Sequence, residues 1–272
     1  MLKAFSGSVL LLLAAAAGAQ EPPPPPVEAL LAPEARAIDP RADDLVRRMS
    51  DLLARTPSFA LEAEEVFDEL SDDLPRVQFA GKRHVALRRP DRLASDVSGD
   101  ALNRSVWYDG KTITALNREQ NVYAALAVPA TIDGALDAAL ERSGMVIPVA
   151  DFLYADVHAR LMGSVERGVY VGIHEAAGVP CHHLSFEQPT LDWQLWIDAG
   201  PDPLPRKLLI VYKAEEGVPQ YAVTIRKWNL KAVLPEGLFH FAAPPGATRV
   251  EIPAFTAPAD AAPGAPGSPE PR

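Results

Sequence analysis

From Ser58 onward the apolar residues of this chain recur at every second position. Phe59, Leu61, Ala63, Glu65 and Phe67 share one side of an extended segment, and Glu62, Glu64 and Asp68 share the other. A period of two belongs to a β-strand with one buried and one wet face, the usual state of an antiparallel sheet. The same character returns, with short breaks, at 77–89, 92–97, 105–108, 111–116 and 122–125, and again at 165–174, 179–186, 191–198, 206–213, 221–230 and 239–241. These twelve segments, the last only three residues long, read as about eleven strands joined by short turns. Asp109-Gly110 is the strongest hairpin signal, because both residues tolerate positive φ.

Helical spacing appears in two places. Asp39-Pro40 supplies an N-cap and a first-turn proline, then Leu45, Met49, Leu52 and Leu53 fall on one face until Pro57. Thr131 caps a second helix over 131–143, with Ile132, Leu136 and Leu140 as its stripe and Gly144 as its stop. Two short helical turns are expected at 148–154 and 156–162. Nothing alternates strand, helix, strand, so a doubly wound fold is excluded. The expected class is mainly β with helices (α+β): a strongly curved antiparallel sheet, or incomplete β-barrel, with the N-terminal helix and the helical insert covering its concave face.

The ends point to export. Lys3 precedes the apolar run 9–17, which is too short to span a bilayer, and Ala17-Gly18-Ala19 offers small residues for cleavage. Residues 1–19 are expected to be a signal peptide cut near Ala19, leaving no transmembrane segment in the mature chain and a periplasmic location. Residues 20–38, with prolines 22–26 unbroken, read as an extended spacer. Residues 253–272 are Pro/Ala/Gly-rich and read as disordered. One folded domain over 39–252 remains. A net charge of −10 without a basic run argues against nucleic acid, whose binding rests on phosphate contacts. A single cysteine cannot form an intramolecular disulfide, so the core must supply the stability.

Chemistry-bearing motifs are few. Cys181 and His183 point to one face of a strand and His182 to the other, with His174 on the preceding strand as a further ligand candidate. A zinc site needs three or four protein ligands, and no CxxC, HxxxH or HExxH is present. A buried thiol with hydrogen-bonded imidazoles is the simpler reading, so neither metal nor cofactor is expected. His182 is badly placed to activate Cys181 as a nucleophile, and no G-x-S-x-G occurs. The acidic set Glu62, Glu64, Asp68, Glu69, Asp72 and Asp73 lacks calcium-loop spacing and reads as a solvated sheet face. Arg88, Arg89 and Arg92 are either a head-group receptor or a basic strand end. Trp193, Leu195 and Ile197 share a face that is core or cavity wall, while Trp196 sits among polar neighbours. Residues 145–162 form an apolar patch whose Met and aliphatic groups suit either an adaptable lining or a plug.

Seven phrases, RRPDRL (88–93), WYDGKTIT (107–114), NVYA (121–124), TIDGALD (131–137), GVPCHHL (178–184), DWQLWID (192–198) and PLPRKLLI (203–210), together resemble a family of predicted periplasmic proteins with a domain of unknown function (DUF2092). That family in turn resembles the outer-membrane lipoprotein carrier (LolA/LolB-like) superfamily. The resemblance implies a half-barrel with helices as a lid over a hydrophobic cavity, and it carries no catalytic residue. The expected function is a non-enzymatic binding or carrier protein for a lipid, an acyl chain or a lipoprotein tail. The alternative is an envelope interaction module with a protein partner. Phe59, Phe67, Phe79, Trp107, Met145, Phe152, Leu153, Tyr154, Met162, Trp193 and Leu195 are the candidate cavity residues.

Overall fold

The computed structural model describes residues 38–71, 74–143 and 148–252. The expected signal peptide, nearly all of the spacer, the C-terminal tail, Asp72, Asp73 and Met145 lie outside the described residues.

Among the described residues, twelve strands form one open sheet. The first six, β1 (Ser58–Ser71), β2 (Leu74–Arg88), β3 (Arg92–Gly99), β4 (Asn103–Tyr108), β5 (Thr112–Asn117) and β6 (Val122–Ala127), make a meander. A second meander follows the helical insert: β7 (Arg167–Ala176), β8 (Val179–Glu187), β9 (Asp192–Asp198), β10 (Pro205–Val211) and β11 (Gln220–Asn229). The two join where β11 pairs antiparallel with β1, and β12 (Thr248–Arg249) adds to β6 in parallel. The sheet is curved and does not close, because β7 and β12 remain its two ends.

Two turns depart from expectation. Tyr108 pairs with Ile113, so four residues rather than two make the turn after β4. Asp109 Oδ1 accepts from the backbone N–H groups of Lys111 and Thr112, both at 2.9 Å, and only Gly110 takes positive φ, at 93°. An Asx-type turn thus replaces the tight hairpin. The strand expected at 239–241 is absent. Glu236–Phe239 is a 3₁₀ turn instead, and Pro244 and Pro245 deny the following segment ladder donors. Phe239 is fully buried there with the Arg88 guanidinium over its ring, and Arg88 and Arg92 both grip Glu236.

Helix α1 (Pro40–Arg55) starts as its sequence dictates. Asp39 Oδ1 accepts from Arg41 N at 2.8 Å, and Pro40 occupies the first turn. It buries Ala42, Leu45, Val46, Met49, Leu52 and Leu53 against β7, β9 and helix α3 (Val157–Met162). Helix α2 (Ile132–Ser143) begins with Thr131 Oγ1 accepting from Gly134 N at 3.2 Å. It leads, past residues 144–147, to a 3₁₀ helix at Pro148–Leu153. The backbone N–H of Ile132 donates to Pro90 O, and the Tyr108 hydroxyl donates to Pro129 O at 2.6 Å, which ties the α2 entry to the sheet.

Candidate functional site

Register places a set of small side chains in line. On the concave side, Val85 faces Ser95, Ser95 faces Val106, Val106 faces Ala115 and Ala115 faces Ala124, across five strands. The next concave row is larger: Leu87, Leu93, Tyr108, Ile113 and Leu126. Side chains on one sheet face stand at a common height, so a row of small ones beside a row of large ones is a trough. Over it lies α2, which lines it with Leu136, Ala139 and Leu140. These positions recur at helical spacing, i, i+3 and i+4. The 3₁₀ helix adds Val149, Ala150 and Leu153, and Ile252 closes in from beyond β12. The result is a cavity of about 160 Å³, partly open to solvent.

Few polar groups reach this space. Ser95 on the floor accepts from Arg83 Nη1 at 3.2 Å. Behind it Arg83 forks onto Glu65, with bonds of 3.0 and 2.9 Å, and the Tyr221 hydroxyl donates to Glu65 at 3.0 Å. Glu65, Arg83 and Tyr221 are all buried, so each charge is held by a partner rather than by water. At the mouth, Arg160 donates to Asp151 at 3.0 Å and lies over the Tyr154 ring, whose hydroxyl donates to Asp137 at 2.8 Å. Burial pushes the Asp151 carboxyl up despite Arg160, and burial with the Asp137 bond pushes the Tyr154 phenol up.

Of the residues singled out from sequence, Leu153 and Tyr154 line this cavity. Phe59, Phe67, Phe152, Met162, Trp193 and Leu195 belong to the main packed core, and Phe79 packs against that core. Trp107 sits outside the lining, its ring 5.2 Å from Phe241. α1 packs on β7 and β9, so the concave side there is filled by large side chains. Trp193, for instance, stacks on Phe186 at 4.2 Å. Leu136 and Leu140 were legible as the stripe of α2. The floor residues were not singled out, because small side chains become a trough only once pairing aligns them.

The remaining clusters have structural employment. The Cys181 thiol contacts the carbonyls of Val179 and Ala176, and burial pushes it up to about 11, which leaves no thiolate at neutral pH. His182 faces the opposite way, beside Tyr170. Glu62 pairs with Lys227 and Glu64 with Arg226 on the wet face, whereas Asp68 is buried and accepts from Gln220 N and Gln78. Arg89 donates to the carbonyls of Leu53, Leu153 and Tyr154, which ties the end of α1 to the cover of the trough. Among the described residues, no group of three His, Cys, Asp or Glu converges on one point. No described helix is long and apolar enough to cross a membrane.

The described residues form a mainly β fold: one curved, open antiparallel sheet with a few helices. The chain belongs to the family described as predicted periplasmic protein (DUF2092), whose model matches residues 42–253, and that description places it in the periplasm. No curated protein matches it. Similar solved structures include LprF from Mycobacterium bovis (14% identity, TM-score 0.46, 73% of this chain and 98% of that one). They also include an uncharacterized conserved protein from Thermus thermophilus (10% identity, TM-score 0.45, 78% and 99%). A LolA superfamily protein from Nitrosomonas europaea is a third (9% identity, TM-score 0.37, 74% and 97%). These likenesses concern fold, and the question of a ligand falls to the cavity.

Proposed function

We propose that this protein is a non-catalytic periplasmic binder that takes an apolar chain, from a lipid or an acylated protein, into the trough beneath α2. The observation that carries the reading is the trough itself: a file of small residues under an apolar helix stripe, partly open to solvent. An apolar cavity of about 150 Å³ stays dry and accepts a benzene-sized guest. The resting trough is of that size, so it admits about five or six carbons. At about 0.8 kcal/mol per methylene, that is about 4 to 5 kcal/mol, which corresponds to weak, roughly millimolar binding. Tight binding of a long chain therefore requires α2 to move outward and lengthen the groove. The helix is suited to this, since it is tied at its N-terminal end and rests chiefly on the 3₁₀ helix.

The test is displacement of a fluorescent apolar probe by saturated fatty acids, monoacylglycerols and a detergent-solubilised lipoprotein, with native mass spectrometry of the purified protein for retained lipid. Affinity should climb with chain length in wild type. A paired Ala115→Leu/Ala124→Leu variant, folded but with its floor raised, should lose the climb. Equal binding by that variant, or failure of every ligand to displace the probe, would overturn the proposal.

A further inference from the structure

The convex face holds an arrangement that the apolar trough does not use. His183 on β8 stacks on Trp196 of β9, with ring centroids 4.0 Å apart and planes 12° apart. Its Nε2 meets Gln194 Oε1 at 2.9 Å. A carbonyl oxygen only accepts, so Nε2 carries the proton and Nδ1 of the neutral ring presents a lone pair. That Nδ1 lies 3.0 Å from Nδ1 of His174, on the neighbouring edge strand β7. The reach is possible because Gly172, with φ of 146°, stands directly across from His183 and offers no side chain in the way. His174 is exposed, while His183 is fixed by its stack and its amide partner.

We propose that His174 and His183 form a two-histidine site for a divalent d-block cation, with copper(II) preferred over zinc(II). Histidine ligands of metals characteristically donate their second ring N–H to an acceptor that fixes the tautomer and the ring plane, and Gln194 does this for His183. At metal–nitrogen distances of about 2.0 to 2.1 Å, an N···N separation of 3.0 Å corresponds to an N–M–N angle of about 94°. That is close to the cis angle of a tetragonal copper(II) or nickel(II) site and tighter than the tetrahedral angle zinc prefers. A small rotation of the exposed His174 ring aims both lone pairs at one point. The affinity order for such nitrogen donors also puts copper(II) first. Two protein ligands leave the other positions to water or to a donor from a bound molecule. Lys207, whose ammonium lies over the Trp196 ring at 4.7 Å, brings a like charge to that face.

The experiment is titration of the purified wild-type protein with copper(II) sulfate. It is followed by quenching of tryptophan emission and by electron paramagnetic resonance for coupling to two ring nitrogens. Wild type should saturate with one equivalent and show that coupling. His174→Ala, an exposed change on an edge strand, should weaken this site by more than about tenfold, and Gln194→Leu by about tenfold through the lost ring orientation. Lys207→Gln should strengthen it. Copper titrations of His174→Ala and His183→Ala that match wild type, or a wild-type spectrum without two-nitrogen coupling, would overturn the proposal. Because both histidines lie on the convex face, the result is independent of whether the trough binds lipid.

Discussion

The two halves of the concave face are built from the same kind of strand, yet one is solid and the other hollow. Over the second meander, α1 packs on β7 and β9, and its Leu45, Met49 and Leu53 share one buried core with Phe186, Trp193, Leu195 and Ile197. Over β2–β6, α2 brings Leu136, Ala139 and Leu140 down onto Val85, Ser95, Val106, Ala115 and Ala124, and space remains. The difference lies in side-chain volume on the sheet and not in topology. Protein interiors pack to near-crystalline density, so missing volume that neighbours do not reclaim is kept for a reason or costs stability. The solid half leaves no room, and the proposed guest site lies in the hollow half.

The comparison can be broken most directly in the solid half. Phe186→Ala removes a fully buried ring stacked on Trp193 and should cost about 3 to 5 kcal/mol in urea unfolding. A loss below about 1 kcal/mol would mean the two halves are packed alike. A matched pair sharpens the contrast: Ala63→Leu overpacks the main core and should cost about 1 to 3 kcal/mol, whereas Ala124→Leu finds room in the trough and should change stability by less than about 1 kcal/mol. Thr131→Ala removes the side-chain cap of α2 and should cost about 1 kcal/mol. Faster amide exchange confined to 132–143 would mark that cost as local to the cover.

The smallest effect is in acid. Glu236, held by Arg92 and Arg88, titrates at about 2, below the ordinary carboxylate value of about 4.3. A lowered folded-state value means its contribution is present above about pH 4.3 and is lost as pH falls toward 2. The gap in melting temperature between wild type and Glu236→Gln should therefore close between pH 5 and pH 2 and stay constant above it. A constant gap across that range would show that the clamp on β2 and β3 adds nothing.

Much of the fold was legible because alternation and capping are local properties. The first eleven strands follow the period of two, and Asp39-Pro40 and Thr131 mark the starts of α1 and α2. The twelfth strand was missed because two residues, Thr248 and Arg249, carry no period. Phe239 was misread as strand because a buried aromatic looks the same in a sheet and in a 3₁₀ plug. The trough was the least legible feature. Large apolar residues such as Phe59 and Trp193 attract attention in a sequence, but they report where volume is present. A cavity is made of two alanines, two valines and a serine from five separate strands, and their alignment depends on pairing that no single segment encodes.

The pairing of β1 with β11 has a consequence for how this chain reaches its native state. Ala60 and Asn229 are partners in space but stand near opposite ends of the domain, so the bond between them forms only when almost all of the polypeptide is available. Until then the long first strand offers bare amides and carbonyls along one side, an invitation to intermolecular sheet growth. A chain truncated before Gln220 would keep ten strands, β1–β10, and still be prone to aggregate. Productive folding of such a chain thus depends on holding its early strands apart from their neighbours until its last long strand arrives.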